Sequence, residues 1–393
     1  MTAAPLGVNA IASWEATTGL SAAARRSVGA LVDLGVQVAL VDYDYGAPRL
    51  ASRLPERLRS LPADRRHDVE LVFLNVNELH AMPEEVLRPP GTARRVIGSW
   101  FWELASLTPD LLEALRRVDE VWVASEFVAG VFRAATDKPV VVVPCVVEPV
   151  PDPGRSRADF GLLDGRVVYL FSFDAASTFA RKNPLAVIEA YRLAFSAAER
   201  AEKVQLVMKT MNLDAHLEGA ELLRAQLAAV GGSVLDADLS DGEMAALTAA
   251  CDVFVSLHRG EGFGLGAAEA MALGRAVVAT WYSGTADFMT VRNSCPVGYR
   301  IVEVGDGELR LNPEARNVYR PGGLWAEPDV AEAARRMRLL YDRPELRARL
   351  GAAAASTIAE RFSSRAVGEV MRRRLEQVAR LRGIAGSAAR RPA

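Results

Sequence analysis

Four charged residues carry the chemistry that this chain could do: the carboxylates Glu261 and Glu269, and the adjacent cations Arg181 and Lys182. The two glutamates flank a glycine-rich run, Ser256-Leu-His-Arg-Gly-Glu-Gly-Phe-Gly-Leu-Gly-Ala-Ala-Glu269, with seven residues between them. Carboxylates accept hydrogen bonds from hydroxyls, so the pair suits a polyhydroxylated ligand. Eight fully helical residues would rise about 12 Å, on the scale of a nucleoside diphosphate from ribose to attached sugar. Glu269 falls in a helix-forming stretch and suits a ribose. Glu261, in the loop, suits the hydroxyls of a second sugar. The glycines between them let backbone come close to a diphosphate. A helix starting after Gly264 would turn its first amides and its positive dipole end toward that anion. Carboxylates would not touch the phosphates, so cations must neutralise them. Arg181 and Lys182, after one strand and just before a helix, are the best placed.

Each of these readings has a plainer rival. Two glutamates at such a spacing arise often as surface residues. Glu261 is less easily dismissed, because it lies between Gly260 and Gly262 at the C-terminal end of a strand, where ligands bind in α/β sheets. The Arg181-Lys182 pair also reads as a solvent-facing basic pair. The glycines satisfy the dinucleotide fingerprint in its Gly/Ala form, Gly262-Phe-Gly264-Leu-Gly-Ala267. That fingerprint needs an acid at the end of the next strand, but the strand ends at Thr280-Trp281 and Asp287 lies well beyond. A nicotinamide enzyme is therefore a poor second reading. The triplets Asp42-Tyr-Asp44 and Asp236-Ala-Asp238 could suggest a divalent cation, but aspartates are common in turns after short strands, and that reading is preferred.

The elements that must position these residues follow from hydrophobic pattern. Strand-length apolar runs occupy 7–12, 36–41, 69–75, 96–100, 120–124 and 140–143, with helical stretches at 20–34, 109–117 and 125–134. Such alternation predicts a parallel sheet with crossover helices. Glu148-Pro-Val-Pro-Asp-Pro-Gly154 reads as an interdomain linker. The alternation then restarts. Strands are expected at 167–173, 204–209, 234–236, 253–257 and 276–280, and helices at 183–195, 217–230, 241–250 and 267–273, with Pro184 in a first turn. A less regular section, 293–328, precedes helices at 329–340, 344–362 and 363–382. Residues 383–393 read as a small, basic, disordered tail. The fold expected is α/β, two doubly wound domains at 1–150 and 155–364.

Bulk properties narrow the function. The 393 residues fit two or three domains, and half are hydrophobic, enough for a large core. With 47 basic and 49 acidic residues the net charge is only -2, and no nucleic-acid partner is expected. Cys145, Cys251 and Cys295 are widely separated; two sit in apolar segments, favouring inert thiols in a reducing compartment. His67, His80, His216 and His258 show no ligand spacing, so a dedicated zinc site is not expected. The first residues do not resemble a signal peptide, and no run approaches the roughly 18 to 20 apolar residues of a membrane span. The expectation is a cytoplasmic protein. The arginine-rich stretch 49–66 is either a solvated face or, less commonly, a basic surface giving peripheral contact with an anionic membrane or acceptor.

At Glu261-Gly-Phe-Gly-Leu-x-x-x-Glu269-Ala-Met-Ala-x-Gly274 the chain resembles the retaining glycosyltransferases of family 4, of GT-B fold. Further stretches resemble one branch of it: Phe171-Ser-Phe-Asp174 with Arg181-Lys-Asn-Pro184, Leu206-Val-Met-Lys-Thr210, Asp252-Val-Phe-Val-Ser-Leu-His-Arg259, Ser283-Gly-Thr-Ala-Asp-Phe-Met289 and Gly98-Ser-Trp-Phe-Trp-Glu-Leu104. The resemblance implies two Rossmann-like domains facing a central cleft, with the donor on the C-terminal domain, the acceptor on the N-terminal one, and a last helix, 365–382, crossing back. It implies sugar transfer from a nucleotide-diphosphate sugar with retained configuration, to a glycan, lipid-linked or small-molecule acceptor, without a metal or other cofactor. Carried over by position, Glu269 binds the ribose and Glu261 the donor sugar. Arg181 and Lys182 hold the diphosphate, helped by the backbone of Gly262, Phe263, Gly264 and Leu265. Lys209 and Asp236 join the donor site, with the base read near Leu235 and Asp236. Gly19, Leu20 and Ser21 form a loop for phosphate or acceptor.

This sequence departs from the family twice. Many members place a histidine after the fourth strand; here Trp100-Phe-Trp-Glu103 stands there, and Glu103 is either its replacement or a carboxylate starting a helix. The usual glycine-arginine before the phosphate lysine is replaced by Phe173-Asp174 nearby. No protein nucleophile presents itself, and the resemblance implies that the leaving phosphate helps deprotonate the acceptor. Two rivals remain: a sugar phosphorylase of the same fold, and a non-catalytic nucleotide-sugar-binding protein.

Overall fold

A computed structural model describes residues 6–150, 154–175, 177–215, 217–305, 309, 318–320 and 322–388. His216, part of the linker (151–153), much of the irregular section and residues 389–393 of the expected tail lie outside the described residues. The chain divides into two compact units: Met1–Phe101, Leu107–Val146 and Arg361–Ala393 form the first, and Trp102–Ser106 with Val147–Glu360 the second.

The first unit is built on β1 (Gly7–Ala12), β2 (Gln37–Asp42), β3 (Val69–Val72), β4 (Arg95–Trp100), β5 (Glu120–Val123) and β6 (Val140–Val142), all parallel in the order β2-β1-β3-β4-β5-β6. Its helices are α1 (Gly19–Asp33), the short α2 (Glu56–Arg59), α3 (Val76–Ala81) and α4 (Glu84–Leu87), then α5 (Pro109–Arg117) and α6 (Glu126–Arg133). Hydroxyl caps set the longer starts: Thr18, Thr108 and Ser125 accept from the main-chain N–H three residues on. α2, α3 and α4 are too short to show helical periodicity, so hydrophobic pattern does not reveal them.

The second unit carries β7 (Val167–Asp174), α7 (Phe179–Lys182), α8 (Pro184–Ala194), α9 (Ala197–Glu202), β8 (Val204–Met211), α10 (Leu217–Ala229), β9 (Ser233–Asp236), α11 (Asp241–Ala250), β10 (Val253–Ser256), α12 (Leu265–Ala272), β11 (Ala276–Thr280) and β12 (Cys295–Val297). A hairpin, β13 (Tyr299–Glu303) with β14 (Leu324–Pro328), then α13 (Val330–Asp342) and α14 (Pro344–Arg361) follow. The parallel sheet runs β12-β11-β10-β7-β8-β9. The order therefore reverses between β7 and β10, and in doubly wound sheets the crevice beyond the strand ends at such a reversal is where ligands bind.

α15 (Ser364–Ala388) belongs to the first unit. Val367, Met371, Leu375 and Val378 lie at helical spacing on one face and are buried in its core beside Val8, Leu31 and Val38. The helix runs on to Ala388, six residues into the stretch expected to be a disordered tail. Continued helical hydrogen bonding satisfies that backbone where composition alone suggested none.

Candidate functional site

Glu261 stands at the reversal, in the loop between β10 and α12. Its main-chain N–H donates to Ser283 Oγ at 2.9 Å, and its carbonyl accepts from Gly284 N at 2.9 Å, so the segment after β11 clamps it from behind. Gly264 precedes α12 with φ of 94°, and a Cβ there would lie 2.6 Å from Thr285 Cγ2. Only glycine suits a position that is both left-handed and crowded. No side chain caps α12, so its first-turn amides face the loop without a hydroxyl or carboxylate cap.

The cations come from the loop after β7. α7 is a single turn held between two residues of positive φ, Thr178 at 28° and Asn183 at 56°. Asparagine tolerates that region, but a β-branched threonine does not, so tertiary contacts must hold the turn in place. They are present: Arg259 N donates to Arg181 O at 2.8 Å, Arg259 Nη1 to Ala180 O at 3.0 Å, and Asn183 Nδ2 to Leu257 O at 3.0 Å. This stitching carries Arg181 and Lys182 to Glu261. Lys182 Nζ donates to Glu261 Oε1 at 2.5 Å, and Arg181 Nη1 lies 3.3 Å from the same oxygen.

Glu103 joins them. Its segment, Trp102–Ser106, follows β4 in sequence but packs with the second unit. Glu103 Oε1 is 3.9 Å from Arg181 Nη2, and Glu103 Oε2 accepts from the Tyr319 hydroxyl at 3.1 Å. A Cβ on Gly260 would meet the Glu103 carbonyl oxygen at 2.5 Å, so the two backbones touch only because residue 260 is glycine. Four groups expected from sequence, Glu103, Arg181, Lys182 and Glu261, thus form one cluster.

Burial raises the Glu261 carboxyl, but Lys182 and Arg181 outweigh it and hold the group at about 2. Glu261 is an anion at any physiological pH, fit to accept hydrogen bonds and unfit to donate a proton. Burial also opposes charge on Arg181, yet Tyr319, Glu103 and Glu261 keep it firmly protonated. Behind them His258 is fully buried. Burial pushes it down to about 4 against the pull of Glu261; its Nε2 lies 3.3 Å from Thr285 Oγ1 and its Nδ1 is unpartnered.

Most of the other expected residues are distributed along the same unit. Glu269 is half-buried on α12, and Gly262, Phe263, Gly264 and Leu265 form the turn into that helix. Lys209 is buried in β8, in register with Ser172 of β7. Asp236 ends β9, exposed, accepting from Thr210 Oγ1 at 2.9 Å. Gly19, Leu20 and Ser21 lie in the first unit, in the first turn of α1, where Thr18 Oγ1 accepts from Ser21 N. Sequence reasoning missed Tyr319, Ser283, Ser177 and the placement of His258. His258 had a signal, its position just after β10; Tyr319 had none.

Among the described residues, no three His, Cys, Asp or Glu side chains gather as a metal site, and no helix is long and apolar enough to cross a membrane. Cys145, Cys251 and Cys295 are buried thiols.

Residues 199–308, which include Glu261 and Glu269, match the family model described as glycosyl transferases group 1. No protein of curated function matches the chain by sequence. Solved structures match it over nearly its whole length. Anabaena HepE, in complex with UDP and glucose, is 14% identical with a TM-score of 0.68, covering 95% of this chain and 100% of its own. Sucrose-phosphate synthase from Thermosynechococcus elongatus is 15% identical with a TM-score of 0.65, covering 95% and 99%. The pneumococcal O-GlcNAc transferase GtfA, with UDP and GlcNAc, is 10% identical with a TM-score of 0.61, covering 95% and 99%. Two parallel six-stranded sheets with flanking helices, matched to these structures throughout, make the architecture that of the GT-B glycosyltransferases.

Proposed function

We propose that the chain is a retaining glycosyltransferase of family-4 type. It moves a hexose-type sugar from a nucleotide-diphosphate sugar to a hydroxyl of a glycan, lipid-linked glycan or small molecule, in polysaccharide or glycoconjugate biosynthesis. The observation that carries this reading is the meeting of Lys182, Arg181 and Glu261 at the β7–β10 reversal, beside the uncapped start of α12. An anion can settle there against Lys182 and the first-turn amides of α12. Glu261, ionised and pinned through its main chain, accepts hydroxyls of the donor sugar, and Glu269 accepts those of the ribose. HepE and GtfA, of the same fold, hold UDP with a sugar.

In this mechanism the departing diphosphate is stabilised by charge already in place, and its oxygen takes the proton of the acceptor hydroxyl. No metal is assigned. Gly19, Leu20 and Ser21 are assigned to the acceptor or phosphate side, in the first unit.

Thermal-shift titration with UDP, GDP, ADP and dTDP tests the reading. One of the four should stabilise the protein, and Glu269→Ala should weaken that binding about tenfold, the worth of a charge-assisted hydrogen bond. Stabilisation by inorganic phosphate with no response to any nucleotide would instead mark a sugar phosphorylase. Unchanged affinity in Glu269→Ala would refute the ribose role.

A further inference from the structure

The two adjacent cations are placed very differently. Arg181 is 4% exposed. Its Nη1 donates to Gly260 O at 2.9 Å and lies 3.3 Å from Glu261 Oε1. Its Nη2 donates to Ser177 Oγ at 2.6 Å and lies 3.9 Å from Glu103 Oε1. The Tyr319 ring covers the guanidinium, 5.8 Å from centroid to Cζ, and Nε is sealed without a partner. A phosphate could reach Arg181 only by displacing two carboxylates from a buried cation, which would leave charges unpaired at high cost. Lys182 is 19% exposed and has one carboxylate partner. Its ammonium sits on a flexible stem and can exchange one anion for another.

Tyr319 closes the arrangement. Its hydroxyl holds Glu103 Oε2 while its ring lies over Arg181, and Glu103 is fixed at its other end by the contact with Gly260. The four charges, two cations and two carboxylates, balance. The guanidinium is therefore neutralised before any ligand arrives, and its fixed fork can orient both carboxylates.

We propose that Tyr319 and Arg181 are positioning residues: Tyr319 anchors Glu103 on Arg181, and Arg181 aims Glu261 at the donor sugar, leaving the diphosphate to Lys182. The inference rests on the transferase reading and departs from the expectation that both cations bind phosphate.

The test pairs each diphosphate with its monophosphate (UDP and UMP, GDP and GMP, ADP and AMP, dTDP and dTMP), so that the ratio of their Kd values isolates the β-phosphate. Lys182→Ala should cut that ratio roughly tenfold. Tyr319→Phe should keep it within about twofold, yet lower kcat for acceptor-free turnover of the matching nucleotide sugar roughly tenfold at unchanged KM. Glu103→Gln should give the same split, and the double variant Tyr319→Phe/Glu103→Gln should be no worse than either single one, because both remove one contact. If Tyr319→Phe lost the diphosphate preference as Lys182→Ala does, or kept wild-type kcat, the proposal would fall while the transferase reading stood. Wild-type protein that binds none of the eight nucleotides would overturn both.

Discussion

In the first unit the strand order reverses between β1 and β3, and in the second between β7 and β10. Both crevices lie beside the start of a helix, yet they are filled in opposite ways. At α1 the protein satisfies itself: Thr18 caps the first turn, and Arg25 Nη1 donates to Trp14 O and Ala16 O, both at 2.9 Å. Arg49 binds the same loop through Ser13 Oγ at 3.3 Å and reaches Asp42 at 2.9 Å. At α12 no side chain caps the helix, and the nearby charges are gathered on one glutamate. Equivalent backbone positions thus yield one loop closed by its own hydrogen bonds and one whose helix start carries no side-chain cap. Topology supplies the crevice, and side chains decide whether it is occupied from within.

Substitutions matched across the two loops can break this contrast. The largest difference is expected for the glutamates. Glu261→Ala strips buried Arg181 of the nearer of its two carboxylates and Lys182 of its one carboxylate partner, and should cost about 3–5 kcal/mol in denaturant unfolding. Glu15→Ala removes a 3.5 Å pair from a half-exposed site and should cost at most about 1 kcal/mol. Equal losses would mean that the two charge clusters are not different in kind.

The next effect is one of pH. His258 sits at about 4 in the folded protein, below its ordinary value, because burial disfavours the charge. The unfolded chain therefore takes up the proton first. The contribution is whole above about pH 6.5 and shrinks as pH falls toward 4, by up to about 3 kcal/mol. His258→Asn should flatten stability against pH across that window; a parallel curve would show that the imidazole is not buried as described.

Gly264→Ala forces a side chain into a left-handed, crowded position and should cost about 1–3 kcal/mol. Gly19→Ala, with open space around it and no left-handed backbone, should change stability by less than about 1 kcal/mol. Thr18→Ala should cost about 1 kcal/mol from the lost cap, with no effect at all on nucleotide binding. A fall in nucleotide affinity there would carry the donor to the first unit and overturn the contrast.

What could be read beforehand follows from what each part depends on. Strands such as β1, β11 and the span of α5 need only local hydrophobic pattern and cap residues, and they were legible to the residue. The glycine loop and its two glutamates were legible because spacing within one short segment limits the chemistry. Arg181 and Lys182 were legible as cations, but not their unequal burial, which depends on α7 being stitched to the β10 loop 79 residues away. Tyr319 meets Glu103 across 216 residues of sequence, in a section without periodicity. Nothing local marks such a pair. Likewise, no composition shift announces that Trp102–Ser106 packs with the second unit.

The placement of α15 has a consequence for the order in which this molecule is made. Glu120, 0% exposed in β5, receives two hydrogen bonds from Arg374 at 2.7 and 2.8 Å, and the apolar face of α15 completes the first core. During synthesis the ribosome delivers all six strands of the first sheet, then the entire second unit, before α15 emerges. Over that interval the first sheet waits with a hydrophobic face uncovered and a buried carboxylate lacking its strongest partner. The second unit has no such wait and can close first. The core of the first unit therefore cannot be completed until the last helix has been synthesised.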